Sequence, residues 1–197
     1  VEALLANKTQ TFASATIPAP LAELVYAAQE CVDALQNGNK IFFMGNGGSA
    51  AIAEHWSCDH TKGIRDDVAL FPNVTNLASN MSLMTAIAND MSYEEVFSRQ
   101  IGYCNAEFAT VIAISSSGSS PNIVEGLKMA REKDFATIAF VGFDGGTIVK
   151  NHLADHILHI KSNNYGVVED CHQILMHTLA QSIRKSLTRK DISTLKL

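Results

Sequence analysis

The chain has 197 residues, a formal net charge of -5, 47% hydrophobic residues and 18% charged residues. These proportions are typical of a soluble globular protein and exclude an intrinsically disordered chain. Because the net charge is negative, no direct binding to nucleic acid is expected. No apolar run approaches the roughly 20 residues that a membrane helix needs, and no secretory signal is recognisable, so we expect no membrane association.

The predicted strands are short, continuous apolar runs, as is typical of strands buried on both faces of a parallel sheet. They cover residues 40–44, 110–114, 136–141 and 156–160, with a weaker run at 68–71. Helical patterns alternate with these runs, over residues 20–36, 49–61, 80–88, 92–101, 121–133 and 167–187. The alternation predicts βαβ units and an α/β fold with three layers (α/β/α) around a central, mainly five-stranded parallel sheet.

The whole chain, residues 1–197, is predicted to be one domain, because it shows no internal repeat, low-complexity tract or linker. Residues 1–19 are expected to form a helical extension before the body of the domain. The polar segment at 188–197 is expected to fray.

The four cysteines are scattered and form no C-x-x-C pair: Cys31, Cys58, Cys104 and Cys171. This pattern predicts reduced thiols in a reducing compartment rather than disulfides. We therefore interpret each cysteine as a small buried hydrophobic residue and expect a cytoplasmic protein.

Two predicted strands run into loops whose chemistry suits an anion. The first loop, GNGGSA at 45–50, has glycines that bring backbone N–H groups close to a ligand, and Ser49 at the expected helix N-cap. The second, SSSGSSP at 115–121, offers five hydroxyls around one glycine, with Pro121 at the expected first helical position. Neither loop is a Walker A or a complete dinucleotide motif. Many hydroxyls without Lys or Arg favour a phosphomonoester held by hydroxyl and backbone donors.

Two predicted helices each carry a histidine and a carboxylate at helical spacing. His55 and Asp59 are four residues apart, and Glu169, Gln173 and His177 follow one another at intervals of four. Such a set either holds a divalent metal or supplies a general acid and base. The remaining histidines considered are interpreted as structural: His60, His152, His156 and His159.

Several motifs together resemble one branch of a known family. GNGGSA at 45–50, AIAND at 86–90, FSRQ at 97–100, ISSSGSSPN at 114–122, DGG at 144–146 and the H-x4-H spacing of the last helix are similar to the phosphoheptose isomerases of the sugar isomerase (SIS) family. The resemblance covers about residues 20–187 and implies a flavodoxin-like SIS domain. It also implies isomerisation of sedoheptulose 7-phosphate to D-glycero-D-manno-heptose 7-phosphate, for lipopolysaccharide or capsule synthesis, by a homotetramer.

The resemblance further implies which residues form the site. The phosphate- and substrate-binding positions are Asn46, Gly47, Gly48, Ser49, Asn89, Asp90, Ser115, Ser116, Ser117 and Ser120. A divalent metal, zinc by resemblance, is expected on His55, Asp59, Glu169 and His177. The catalytic residues are expected to be Glu169 or Asp59, removing the proton alpha to the carbonyl, and His177, moving protons on the enediol oxygens.

The chain departs from the family at four positions that lie on or next to these two helices. Asp59 stands where the family has Glu, and Glu169 stands where it has Gln; we hypothesise that the two changes compensate, with the basic carboxylate moved from one helix to the other. A carboxylate one methylene shorter retracts by roughly 1 Å, which is enough to affect the rate. The other two departures are losses: Gly166 replaces an Asp, and Gly63 replaces an Arg, whose role we expect Lys62 or Arg65 to take.

Two other functions are compatible with this family. One is a non-catalytic adaptor related to proteins that bind the bacterial replication initiator, and the other is a sugar-phosphate sensor domain. The presence of Gly48, Asp59 and His177 favours the enzyme over the adaptor. No DNA-binding segment accompanies the domain, which makes the sensor the weaker alternative.

Overall fold

The computed structural model describes residues 20–68 and 70–188. The predicted helical extension at 1–19 and the tail beyond residue 188 lie outside these residues. The helices, in chain order, are α1 (Pro20–Gln36), α2 (Gly48–Cys58), α3 (Arg65–Val68), α4 (Met81–Asp90), α5 (Ser98–Gly102), α6 (Pro121–Glu132), α7 (Gly146–Lys150) and α8 (Tyr165–Thr188). The strands are β1 (Lys40–Gly45), β2 (Asn73–Asn76), β3 (Ala109–Ser115), β4 (Ala136–Val141) and β5 (His156–His159).

The strands form a parallel sheet whose order is β2-β1-β3-β4-β5 among the described residues. Phe43 of β1 is flanked by Asn76 of β2 on one side and Ile112 of β3 on the other. From β1 the chain moves outward to β2 and then returns past β1 to β3. The sheet therefore has its switch point between β1 and β3, where the carboxyl ends of two neighbouring strands open toward a ligand. The predicted α/β fold with a five-stranded parallel sheet is confirmed.

The core lies on both faces of the sheet, because successive strand residues point in opposite directions. Ile41 and Phe43 of β1 pack with residues of α1, α2 and α8, whereas Phe42 and Met44 pack with residues of α4 to α7. All four side chains are buried, with at most 2% of their surface exposed. This two-sided burial explains the uninterrupted apolar run in the sequence. Deleting a buried ring such as that of Phe43 costs about 3–5 kcal/mol.

The second strand lies at a different place from the one predicted. The described residues of this run, 68, 70 and 71, are not a strand: Arg65–Val68 is the short helix α3, and β2 follows at Asn73–Asn76. Phe71 is 77% exposed, and the Arg65 guanidinium lies 4.0 Å above its ring. The apolar-run criterion fails here because β2 is an edge strand that pairs only with β1 in the described sheet. A half-exposed edge strand such as NVTN needs no continuous apolar run.

Other boundaries differ more modestly. The predicted helix at 49–61 is an α-helix to Cys58 and then a π-helical turn over Asp59–Ile64. The predicted helix at 92–101 divides into a 3-10 turn at Tyr93–Glu95 and α5. The short α7 was not predicted. No described helix has both the length and the apolar character required to cross a membrane.

The cysteines are all free, but only two fit the predicted role of buried hydrophobic residues. Cys31 and Cys171 are buried, and burial raises the pKa of the Cys31 thiol to about 12. Cys104 is half-buried, and Cys58 is exposed at the end of α2, so the prediction is wrong for Cys58. Cys58 is the last residue of α2, and the buried face of this helix is formed by other residues, such as Ile52 and Trp56.

Two histidines are part of the core. The Nδ1–H of His60 donates to the Trp56 carbonyl at 3.1 Å, and the Nε2–H of His172 donates to the Val141 carbonyl at 3.2 Å. Both side chains are fully buried, and their other ring nitrogen has no hydrogen-bond partner among the described residues. Burial lowers the pKa of each to about 4, so both imidazoles are neutral in the folded protein.

We expect the free energy of unfolding to decrease as the pH is lowered from about 6.5 toward 4. In that window the unfolded chain protonates His60 and His172, while the folded protein keeps them neutral. The unfolded state therefore binds more protons, which lowers stability by up to about 1.4 kcal/mol per pH unit for each histidine. Urea unfolding curves at a series of pH values measure this slope.

The variant His172→Gln separates titration from packing. Glutamine keeps an N–H donor for the Val141 carbonyl but does not titrate, so the slope should decrease. The matched control is His152→Asn, because His152 is exposed and its φ of 48° is tolerated by asparagine. If both variants keep the wild-type slope, protonation of His172 on unfolding does not contribute to the pH dependence of stability.

Candidate functional site

The two predicted anion loops lie side by side at the switch point of the sheet. β1 ends at Gly45 and α2 begins at Gly48, while β3 ends at Ser115 and α6 begins at Pro121. Both loops turn through a glycine with positive φ, Gly47 at 54° and Gly118 at 62°. A Cβ on Gly118 would lie 2.1 Å from the Gly145 carbonyl oxygen, so only glycine allows this close approach.

A small cavity of about 130 Å³ lies between the loops. Its wall contains five serine hydroxyls, an amide, a phenol and a carboxylate, and no Lys or Arg: Asn46, Ser49, Ile114, Ser115, Ser116, Ser117, Ser120, Tyr165 and Glu169. We call this cavity the serine pocket. The Ser115 hydroxyl donates to that of Ser120 at 3.4 Å. The buried Ser116 hydroxyl has no partner within the described residues, which leaves one donor available to a ligand.

The helices that start at the serine pocket favour a negatively charged ligand. α2 and α6 both begin beside it, and the amino end of a helix carries a partial positive charge with unpaired N–H groups. Gly47 occupies the N-cap of α2 and has no side chain to bond these groups. Hydroxyls and backbone N–H groups are sufficient to bind a phosphate group without a cationic side chain.

A reciprocal pair of amides joins the two loops, and no sequence pattern predicted it. The Asn46 amide donates to Oδ1 of Asn122 at 2.8 Å, and the Asn122 amide donates to Oδ1 of Asn46 at 2.9 Å. The Tyr93 hydroxyl adds a third bond to Oδ1 of Asn46, at 3.0 Å. Asn122 is only 2% exposed and Asn46 is half-buried, so the pair is partly shielded from water. We name Asn46 and Asn122 the amide pair; it fixes the separation of the loops on either side of the serine pocket.

Glu169 enters the serine pocket from the first turns of α8. A Cβ on Gly48 would lie 2.6 Å from each of its carboxylate oxygens, so the carboxylate lies directly against the start of α2. The positive end of the α2 dipole stabilises a negative charge at this point. The pocket thus already contains one anionic group of the protein itself.

A second polar group lies beyond the pocket, where α2 meets α8. Potential ligand atoms of His55, Asp59 and His177 lie within 4.8 Å of one another. The two imidazole rings are perpendicular, with centroids 5.1 Å apart, and Nε2 of His55 lies 3.8 Å from Oδ1 of Asp59. Oδ2 of Asp59 is buried and has no hydrogen-bond partner among the described residues. Two imidazoles and a buried carboxylate with a free lone pair fit a divalent cation such as zinc. We call these three residues the metal group.

Glu169, which was predicted to be a fourth metal ligand, is not brought into the metal group. It is eight residues before His177 on α8, which corresponds to about 12 Å along the axis and about 80° around it. This offset places its carboxylate in the serine pocket instead. Gln173, only one turn before His177, is the side chain of α8 that reaches the group.

Gln173 bonds to both histidines and was not predicted as a site residue. Its side-chain nitrogen lies 3.0 Å from Nδ1 of His55 and 3.3 Å from Nε2 of His177. The spacing of four residues from His177 was visible in the sequence. Its contact with His55, which is 118 residues away, is a product of the packing of α2 against α8.

The remaining predicted residues have varied surroundings. Asn89 and Asp90 are exposed at the end of α4, where the Asn89 amide donates to the Asp90 carboxylate at 2.8 Å, and neither lines the serine pocket. The missing Arg at position 63 is not replaced by Arg65, whose guanidinium lies on Phe71. The nearest atoms to a Cβ added at Gly63 belong to the guanidinium of Arg184, 3.9 Å away.

Comparison with known proteins identifies similar sequences. The SIS domain family model matches residues 6–142. The phosphoheptose isomerase of Paramagnetospirillum magneticum is 38% identical over 181 residues, which cover 91% of this chain and 91% of the relative. That of Aliarcobacter butzleri is 37% identical over 162 residues, covering 82% of this chain and 84% of the relative.

Solved structures show the same relationship. The phosphoheptose isomerase from Neisseria gonorrhoeae matches with a TM-score of 0.83 and 31% identity, covering 92% of this chain and 95% of that chain. A phosphoheptose isomerase from Francisella tularensis matches in fold, with a TM-score of 0.84 at 24% identity, covering 93% of this chain and 96% of that chain. The resemblance inferred from the loop motifs is confirmed.

Breaking the amide pair should weaken anion binding. Asn122→Leu keeps the volume of the side chain but removes both bonds to Asn46, so the loops lose their fixed separation. We expect the Kd for inorganic phosphate to increase about tenfold, which corresponds to about 1.4 kcal/mol and to the net value of one or two hydrogen bonds. Isothermal titration calorimetry with phosphate measures the change.

The control for this experiment is Tyr93→Phe. This variant removes only the outer hydroxyl bond to Asn46 and leaves the amide pair intact, so the Kd should change less than about threefold. Circular dichroism should show that both variants are folded. A folded Asn122→Leu protein with wild-type phosphate affinity would show that the amide pair does not set the pocket.

Proposed function

Because the chain belongs to the phosphoheptose isomerase family of SIS-domain proteins, we propose that it interconverts a ketose phosphate and an aldose phosphate. The substrate pair is sedoheptulose 7-phosphate and D-glycero-D-manno-heptose 7-phosphate. The observation that supports this proposal best is that α8 carries both parts of the site, Glu169 in the serine pocket and His177 in the metal group. A sugar held by its phosphate can therefore extend along α8 toward the titratable groups.

The serine pocket binds the phosphate end of the substrate. The free Ser116 hydroxyl, the other serines and the N–H groups at the start of α2 and α6 supply the donors. Binding energy from this remote group holds the open-chain sugar in place for the reaction at its other end. The amide pair keeps these donors at a constant separation.

Glu169 removes the proton from the carbon next to the carbonyl. It lies on the first turns of α8, along which the sugar extends from its phosphate, whereas Asp59 belongs to the metal group. His177, eight residues further along α8, transfers a proton between the enediol oxygens as a general acid and base. With Glu169 as the base, the carboxylate that acts in catalysis has moved from position 59 on one helix to position 169 on the other, as the compensation hypothesis requires.

His55, Asp59 and His177 would hold a divalent cation, for which zinc fits the donor set best. When bound, such an ion supplies Lewis-acid polarisation of an oxygen atom of the substrate. The protein's own contribution is to hold the two imidazole rings in place, through the contacts of the Gln173 side chain with Nδ1 of His55 and Nε2 of His177.

We place the protein in the cytoplasm, in the synthesis of heptose for lipopolysaccharide or capsule, and propose that it is a homotetramer. Exposed apolar side chains on α1 and α8 support an assembly: Val25 and Tyr26 are 61% and 58% exposed, and Ile174 is 49% exposed. A helix face of this kind is a suitable contact between copies of the chain.

An NMR time course with sedoheptulose 7-phosphate tests the function. Purified protein loaded with zinc should produce signals of the aldose heptose 7-phosphate, and a chelator should slow their appearance. Matched samples with the His177→Ala variant should form product at least about a hundredfold more slowly. Saturable binding of the sugar phosphate without any product in the zinc-loaded wild type would refute the isomerase proposal and support the adaptor.

Glu169→Gln tests the assignment of the base. The variant keeps the shape of the side chain but cannot accept the proton, so kcat should fall about 10²- to 10⁴-fold. KM should stay equal or decrease, because the variant also removes a negative charge from the phosphate-binding pocket. Steady-state kinetics separate the two parameters.

The matched control is Glu125→Gln, the same chemical change on the surface of α6, where Glu125 pairs with Lys128. It should leave kcat and KM unchanged, since exposed ion pairs contribute little. Turnover that is intact in Glu169→Gln would return the role of base to Asp59.

A further inference from the structure

We propose that a second cavity, at the carboxyl ends of β4 and β5, binds an acidic monosaccharide, that is, a sugar that carries a phosphate or a carboxylate group. The cavity measures about 530 Å³ and is lined by residues 143, 144, 149, 159 and 161–163. We call it the edge cavity. None of the described residues that line it also lines the serine pocket. Its size is within the range of about 300–1,000 Å³ that is usual for small-molecule sites, and the proposal does not depend on the isomerase reaction.

Lys161 brings a positive charge to the edge cavity that the protein itself does not neutralise. Its side chain is exposed and makes no ion pair or hydrogen bond with any described residue. The only carboxylate among the described residues of the wall is that of Asp144, whose Oδ1 accepts the Gly146 N–H at 3.0 Å rather than pairing with Lys161. The partner that remains for the Lys161 ammonium is therefore an anionic group of a ligand.

The other polar groups of the wall suit hydroxyl groups. The Nε2–H of His159 donates to the Phe143 carbonyl at 3.1 Å, so the neutral ring keeps a lone pair on Nδ1, which has no partner within the described residues. The Asn163 amide, both a donor and an acceptor, is likewise unpartnered in the described part of the chain. The Ser162 hydroxyl oxygen accepts the Asn164 N–H at 3.4 Å, which leaves its O–H free to donate. A ligand with several hydroxyls matches this set.

Phe143 forms the apolar part of the wall together with Val149. Its φ of 50° is in the left-handed region, which is rare for a bulky aromatic residue. Two hydrogen bonds keep it there, since its N–H donates to the Ser162 carbonyl at 3.0 Å and its own carbonyl accepts from His159. Strained residues of this kind persist where the surrounding structure holds them, and they concentrate at ligand sites. The C–H face of a sugar ring would pack on this apolar surface.

The edge cavity and the serine pocket are neighbours with a partition between them. The Phe143 ring packs edge-on against the ring of Tyr165, a residue of the serine pocket, with centroids 4.6 Å apart. The DGG motif at 144–146 lies in the same partition, because it leads into Thr147, whose N–H donates to the Ser119 hydroxyl of the second anion loop at 2.9 Å. The motif thus fixes the wall of the edge cavity beside the serine pocket while the two sites stay separate.

Amide NMR spectra of the 15N-labelled protein test the proposal with three probes that share one sugar ring: glucuronate, glucose 6-phosphate and glucose. The two acidic sugars should produce saturable shifts of the amide signals of residues 161–163. Glucose lacks the group that pairs with Lys161, so its Kd should be at least about tenfold higher. The acidic probe that binds more tightly shows whether a carboxylate or a phosphate fits the cavity better.

Lys161→Gln removes the positive charge and keeps a long polar side chain. The Kd for glucuronate, measured from the same signals, should increase about tenfold, because a hydrogen bond between charged groups is lost. The matched control is Lys150→Gln, the same change at the last residue of α7. Lys150 is exposed and does not line the edge cavity, so the Kd should stay within about twofold of wild type.

Four results would overturn the proposal. They are the lack of saturable shifts at residues 161–163 with both acidic sugars, equal Kd values for glucose and the acidic sugars, wild-type affinity in Lys161→Gln, and an equal loss of affinity in both lysine variants. Shifts confined to residues 115–120 would place the sugars in the serine pocket and would overturn it as well. The isomerase proposal is decided separately, by the product signals in the time course with sedoheptulose 7-phosphate.

Discussion

β1 and β3 pair in parallel from Lys40 opposite Ala109 to Gly45 opposite Ile114, and the position of the whole site depends on this pairing. Because both strands end at the same edge, their loops start within one strand spacing of each other. The loops are then fixed by the amide pair rather than by charges. A pocket that is held together by partly shielded hydrogen bonds keeps its shape when the charge of its ligand changes.

The serine pocket differs from a simple phosphate site because it contains a carboxylate and no Lys or Arg in its wall. Hydroxyls and helix ends give directional bonds to phosphate without forming a strong ion pair. The carboxylate of Glu169 is tolerated because it faces the start of α2. Gly48 is needed at this point because a larger residue would collide with that carboxylate.

Sequence patterns predicted the layers and both loops, because strands that are buried on two faces and glycine-serine turns leave local signals. β2 was misplaced, since an edge strand such as NVTN lacks the apolar run that reveals a central strand. The amide pair and the contact between Gln173 and His55 join residues 76 and 118 positions apart, so no local pattern encodes them. Glu169 was assigned to the metal group because a spacing of eight residues suggests one helix face, whereas the rotation of about 80° separates it from His177.

If Glu169 is the base, the repulsion between its carboxylate and the phosphate of the substrate has a role in the reaction. A phosphate group bound beside Glu169 faces a second negative charge, which weakens binding of the substrate in its ground state. When Glu169 accepts the proton from the sugar, its carboxylate becomes neutral and this repulsion disappears. The negative charge then resides on the enediolate oxygens, nearer to the metal group. An interaction that becomes more favourable as the proton moves lowers the barrier, whereas one that is equally strong in the ground state and the transition state does not. A glutamine at this position would bind phosphate without repulsion but could not take part in this transfer.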